Sequence, residues 1–220
     1  MKTVVSTKIL NQSQKKTLVE ADFNVLDFDF IQTNSIAFEL EISTDFGIIT
    51  SKNALKSCLL HPNFKDLFIQ KSFFCVGIET KKEVEKAGFK VVETANYGLD
   101  LATLLVQKYS SKSFTFFSGN LRRNELPKML LDAKISFTEI EVYKTLKTSL
   151  KIEQTFDFLL FFSPSGVESF VEKNTIENQK CIAIGTTTAQ TLENYTSNIY
   201  IAEQPSVAQV IQKMLQISDD

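Results

Sequence analysis

The chain has 220 residues, 43% hydrophobic and 23% charged, with a formal net charge of -2, which gives one large or two small domains of ordinary globular composition. No apolar run approaches the ~20 residues needed to cross a bilayer, and the charge balance lacks the basic excess of a nucleic-acid binder. Three scattered cysteines (Cys58, Cys75, Cys181) and one histidine (His61, before Pro62, read as a surface loop residue) argue against zinc, iron–sulfur, Ser-His and Cys-His chemistry. The first residues carry no apolar run of the signal-peptide kind, so a cytoplasmic protein is expected.

In chain order, Thr3 to Ser6 predicts a short strand, and Asn11 and Ser13 start a polar helix to about Ala21. Phe23 to Phe30 alternates apolar and polar residues as one strand, with Thr33 to Glu39 a linker. Phe46 to Thr50 predicts a strand, Asn53 to Leu60 a helix, and Phe73 to Val76 a buried strand. Thr80 with Glu83 fits a capping box for a helix ending at Gly88, a position suited to a left-handed cap. A strand at Lys90 to Glu93 and a helix over Leu99 to Lys108 follow.

The strand Phe114 to Phe117 turns at Ser118-Gly119-Asn120, enters a helix through Lys128 to Ala133, and is followed by the alternating stretch Phe137 to Tyr143. The apolar runs Phe158 to Phe162 and Ile182 to Ile184 break into Ser163-Pro164-Ser165-Gly166 and Gly185-Thr186-Thr187-Thr188, two strand-to-helix turns. A strand at Ile199 to Ile201 and an amphipathic helix from Ser206 end the chain. Strand and helix alternate throughout, which predicts an α/β fold with parallel sheets and two similar lobes.

An internal echo supports the two lobes. Ile49 to Leu55 repeats in Phe161 to Val167, so that Ser51 falls on Ser163, Asn53 on Ser165 and Ala54 on Gly166; Val76 to Thr80 repeats in Ile184 to Thr188, Gly77 falling on Gly185. Phe30 to Thr33 also pairs with Val142 to Thr145. One unit of roughly a hundred residues is used twice.

Two readings stand for the turns. Ser165 with Glu168 and Thr187 with Gln190 fit capping boxes that satisfy helix amides, whereas four comparable turns lining one cleft would offer amide donors to a carboxylate-rich ligand. Arg122 and Arg123, the only arginines, follow Gly119 at a helix start and are either bidentate carboxylate holders or a solvated face. Tyr143 is either a core tyrosine with a tethered hydroxyl or a donor.

These residues resemble the uroporphyrinogen-III synthase family: ITSKNAL at 49–55, VGIET at 76–80 with Gly88, Gly119 with Arg123 and Leu126, VYKT at 142–145, FFSPSGV at 161–167 and IAIGTTTA at 182–189, in order over nearly the whole chain. The resemblance implies two parallel-sheet lobes, one from residues 1–34 and 147–220 and the other from 38–142. They would be joined by a two-stranded connector at about 23–37 and 137–146. It implies a hydroxymethylbilane substrate with eight carboxylates, closed to a macrocycle with loss of water and inversion of ring D, and neither metal nor cofactor. Tyr143 would donate to the departing hydroxyl. Substrate would be held by Lys8, Ser51, Asn53, Gly77, Thr80, Gly119, Arg123, Ser163, Ser165, Gly166, Gly185, Thr187 and Thr188. A monomer with no nucleic-acid or membrane partner is expected. The sequence departs from the family at Thr7-Lys8-Ile9, where Thr-Arg-Pro is common, and at Lys52 and Lys81. Outside the resemblance, the rival readings are a non-catalytic two-lobed binding protein for a small anion and a flavodoxin-like electron carrier.

Overall fold

The computed structural model describes residues 1–40 and 44–218. Strand β1 (Lys2–Ser6) leads into helix α1 (Gln12–Glu20). The Asn11 side chain accepts from the Gln14 amide at 2.9 Å, and the Gln14 side chain accepts from the Asn11 amide at 2.9 Å. This reciprocal pair fixes the start of α1.

Strand β2 (Phe23–Asp27) returns parallel to β1, and β3 (Ile31–Ser35) opens a different sheet. Phe23 to Phe30 is therefore not one strand, and Thr33 to Ser35 are strand rather than linker. The alternation that suggested continuity runs past the end of the strand at Asp27, because Phe28 and Phe30 still pack into the core of the first unit.

Next come β4 (Phe46–Ile49), α2 (Lys52–Leu59), α3 (Phe64–Phe68), β5 (Ser72–Val76), α4 (Ile78–Lys86) and β6 (Lys90–Ala95). Helix α5 (Gly98–Lys108), β7 (Phe114–Gly119), α6 (Glu125–Asp132) and β8 (Phe137–Lys147) follow. The last stretch holds β9 (Phe158–Phe161), α7 (Pro164–Val171), β10 (Lys180–Ala183), α8 (Thr186–Leu192), β11 (Ile199–Ile201) and α9 (Val207–Gln216).

Among the described residues the strands form two sheets, ordered β11-β10-β9-β1-β2 and β3-β8-β7-β4-β5-β6. Pairing is parallel at β1/β2, β1/β9, β9/β10 and β10/β11, and at β4/β5, β4/β7, β5/β6 and β7/β8. The α/β class with parallel sheets flanked by helices is thus the fold. By contact clustering the chain divides into one unit of Met1–Gln32 with Leu146–Asp220 and a second of Thr33–Thr145.

Apart from the edge strand β3, the two sheets repeat one order. Reading β2-β1-β9-β10-β11 beside β8-β7-β4-β5-β6 matches each strand to its counterpart, although in the first unit β1, α1 and β2 come at the start of the chain. Both sheets bury two faces. Val4, Phe158 and Leu160 enter one cluster and Val5, Leu159 and Phe161 the other, while Ile48 and Ile49 part in the same way in the second unit. Strand residues point alternately to opposite faces, and each fully buried large apolar side chain contributes about 1.5–3 kcal/mol.

Candidate functional site

In an open parallel sheet the chain leaves the carboxyl ends of two adjacent central strands in opposite directions, and ligands bind at that switch point. In the second unit the strands are β4, which continues through α2 toward β5, and β7, which continues through α6 toward β8. In the first they are β9, continuing through α7, and β1, continuing through α1. The loops at these four ends are centred on Ser51, Gly119, Ser163 and Thr7.

Ser51 caps α2: its side chain accepts from the Ala54 amide at 3.0 Å. Its Oγ also lies 3.1 Å from the Tyr143 hydroxyl, which the end of β8 brings in from the strand next to β7. The Tyr143 ring rests on Gly119. A Cβ there would stand 2.3 Å from Tyr143 Cζ, so no side chain fits without displacing the ring. The β7/β8 register shifts between Ser118 and Gly119, which sets Tyr143 opposite Gly119. Tyr143 is half-buried.

The first unit has the same cap without the tyrosine. Ser163 accepts from the Gly166 amide at 3.0 Å, and Pro164 at the first helical position fixes the start of α7. Ser165 lies inside the helix, with Oγ 3.1 Å from Ser163 Oγ. Thr7 was not singled out by sequence; its hydroxyl donates to the Leu160 carbonyl at 2.8 Å, and Gly166 packs near it. Only its place at the end of the first strand could have signalled it.

Three expected capping boxes are absent. Thr80 falls in the first turn of α4, buried, behind an N-cap at Gly77 with φ 82. Ser165 and Thr187 likewise fall inside their helices, which begin from Ser163 and Gly185. A helix that starts two or three residues earlier takes the would-be cap into its first turn, where its own amide is among those left without an intrahelical acceptor. Thr188 is buried, and the Gly77 amide donates to the Ala95 carbonyl at 2.8 Å.

The arginines precede α6 in the loop rather than starting the helix. Arg122 is bound in bidentate fashion to Glu139, Nε to Oε1 at 2.6 Å and Nη2 to Oε2 at 2.9 Å. Burial pushes the Glu139 carboxyl up, but its bonds to Arg122 and Ser118 outweigh this and hold it below the usual range. Arg123 is exposed and reaches only Glu125, at 3.9 Å. Lys8 is exposed in the loop after β1, and the Asn53 side chain donates to the Thr33 hydroxyl at 3.3 Å. Burial pushes the Cys75 and Cys181 thiols up to about 12 and Cys58 upward as well, so none is a ready nucleophile. Asn120, read from sequence only as part of a turn, brackets Thr145 through two hydrogen bonds.

Two doubly wound parallel sheets, each with a serine-capped helix at its switch point and one with a tyrosine hydroxyl beside that cap, define an α/β protein that presents neutral donors at its strand ends. The family model described as uroporphyrinogen-III synthase HemD matches residues 13–212. The chain belongs to the uroporphyrinogen-III synthase family, of tetrapyrrole biosynthesis. It is 26% identical to a uroporphyrinogen-III synthase of Chlorobaculum parvum over 248 residues, covering 98% of this chain and 100% of that one. Its fold is similar to that of uroporphyrinogen-III synthetase from Helicobacter pylori 26695 (TM-score 0.75, 22% identity, 99% and 100% of the chains covered). It is also similar to a mutant uroporphyrinogen III synthase of the extremely thermophilic bacterium Thermus thermophilus (TM-score 0.71, 13% identity, 100% and 98% covered). No helix among the described residues is long and apolar enough to cross a membrane.

Proposed function

We propose that the protein closes hydroxymethylbilane to uroporphyrinogen III. Family membership supports the reaction, and the Tyr143 hydroxyl 3.1 Å from Ser51 Oγ is the observation that carries the mechanism. Ser51 Oγ already accepts the Ala54 amide, so its own proton is free to go to the Tyr143 oxygen. With the Ser51 hydroxyl as donor in that bond, the phenol proton is left for a ligand.

The carbon–oxygen bond of the hydroxymethyl group breaks, and the oxygen leaves as water with help from the Tyr143 proton. The substituted α-carbon of ring D attacks the cationic methylene carbon that results. The spiro intermediate then opens and recloses through the other α-carbon, inverting the ring, and the proton released restores the phenol. A neutral phenol suits a ligand of eight carboxylates, because an acidic donor there would add another negative charge near them. In one unit the turn at Ser51, and in the other the turns at Ser163 and Gly185 with Ser165 and Thr187 in the helix starts, offer backbone amides to carboxylates, whereas the Gly77, Gly166 and Thr188 amides are already bonded within the protein. Arg123 and Lys8 supply exposed cations, as Arg122 is held by Glu139.

Tyr143→Phe is expected to lower the initial rate of uroporphyrinogen III formation by about ten- to a thousandfold at saturating substrate, within the range of general-acid help. Circular dichroism checks that the fold is retained. An unchanged rate in the folded variant removes Tyr143 from the chemistry.

A further inference from the structure

We propose that Asn120 is the residue that positions Tyr143, a reading that rests on the function proposed above. Strand β7 ends at Gly119, directly opposite Tyr143, so β8 continues beyond Tyr143 with no β7 backbone left to pair with. Asn120 takes over that role. Its backbone amide donates to the Tyr143 carbonyl at 3.3 Å, its Oδ1 accepts from the Thr145 amide at 2.8 Å, and its Nδ2 donates to the Thr145 carbonyl at 3.2 Å. A carboxamide carries an acceptor and donors on one planar group, so one side chain satisfies both backbone groups of one strand residue. The backbone on the C-terminal side of Tyr143 is thereby fixed, its ring lies on Gly119, and its hydroxyl meets Ser51.

The sheet does not require this clamp. Lys2 pairs with Phe23 as Phe114 pairs with Phe137, which makes Lys8 the counterpart of Asn120 in the first unit. There the Lys8 carbonyl accepts from the Ser6 hydroxyl at 2.5 Å, and the loop is tied the other way round, the Ile9 amide donating to Asp29 at 3.0 Å and the Leu10 amide to Asp27 at 2.8 Å. Among the described residues the two-bond carboxamide bracket thus sits beside the tyrosine, and its consequence is where the phenol points. The nearby Arg122–Glu139 pair ties the same loop to the start of β8, four residues before Tyr143; beyond Tyr143, β3 pairs with one edge of β8 and Asn120 holds the other.

The test compares Asn120→Ala, which removes both side-chain bonds, and Asn120→Asp, which keeps an acceptor for the Thr145 amide, each alone and combined with Tyr143→Phe. Asn120→Ala is expected to lower kcat about 10- to 100-fold, with KM changed less than about threefold, because misplacement costs rate rather than binding. Asn120→Asp falls between Ala and Asn. In the Tyr143→Phe background Asn120→Ala costs less than about twofold more, since residues acting as one unit are not additive. With tyrosines labelled at Cζ, the Tyr143 resonance, assigned by its loss in Tyr143→Phe, shifts in Asn120→Ala. Equal losses in both backgrounds, or a resonance that stays in place, overturn the proposal. If Asn120→Ala does not fold, Asn120→Asp supplies the same comparison. If the protein forms no uroporphyrinogen III at all, the resonance alone decides: a shift keeps Asn120 as the positioning residue while the proposed function falls.

Discussion

At the scale of single residues, the site turns on how closely Tyr143 approaches the backbone of β7. An alanine at Gly119 would set its Cβ 2.3 Å from Tyr143 Cζ, so the ring must leave its place and lose the 3.1 Å contact with Ser51. Gly119→Ala is therefore expected to cost about 1–3 kcal/mol in stability through overpacking and about a hundredfold in rate through misplacement. Thermal unfolding and initial rates measure both, and a variant with an unchanged rate contradicts the placement of the ring. Sequence pointed to Ser51 and Ser163, because a small hydroxyl after an apolar run is a local signal; it left Tyr143 between a core residue and a donor, and only the family resemblance favoured the donor. It did not separate Arg122 from Arg123, since the partner that takes Arg122 is Glu139, seventeen positions away on a neighbouring strand. Asn120 was hidden for the same reason: its two bonds reach Thr145 across the β7/β8 ladder, whereas its local sequence says only turn.

At the scale of elements, helix ends separate what local chemistry decides from what packing decides. Helix α4 ends as its glycine suggested. Gly88 has φ 95, its amide donates to the Glu85 carbonyl at 2.9 Å, and the Phe89 amide donates to Val84 at 3.2 Å. Helix α6 ends with the same pair of bonds around Lys134, Lys134 to Leu131 and Ile135 to Leu130, both 2.9 Å, but Lys134 holds φ 56 with a side chain. A left-handed residue with a Cβ costs about 1–2 kcal/mol that glycine avoids, partly offset by glycine's greater freedom when unfolded. Lys134→Gly is therefore expected to stabilise the protein by about 0.5–1 kcal/mol, read as a higher denaturant midpoint with unchanged slope. A lower midpoint contradicts the assignment of that cap. Helix α3 was not legible in advance. Its five residues are too few to be stable alone, and it is held by burial of Phe64 and Phe68, whose rings stack 5.0 Å apart and meet Phe117 at 5.4 and 5.3 Å.

At the scale of the whole molecule, the repeat is the organising fact. The echo of ITSKNAL in FSPSGV marked the two serine caps because both leave the central strand of a sheet, where the same turn does the same work. The echo of Phe30 to Thr33 in Val142 to Thr145 is not a register match: Phe23 stands to β1 as Phe137 stands to β7, which places Asp29, not Ile31, two residues past β2 at the level of Tyr143. Strand order could not be read from pattern, because β1 and β2 join a sheet completed more than a hundred residues later. That order is what brings Tyr143 next to the Ser51 cap and gives the first unit a cap alone. An arrangement that directs ring closure shows itself in which isomer is formed. Hydroxymethylbilane is incubated with and without the purified protein, and the products are oxidised and separated by chromatography. The type III isomer is expected to predominate with the protein present and the type I isomer without it. The type I isomer alone, formed at the same rate in both, would contradict this expectation.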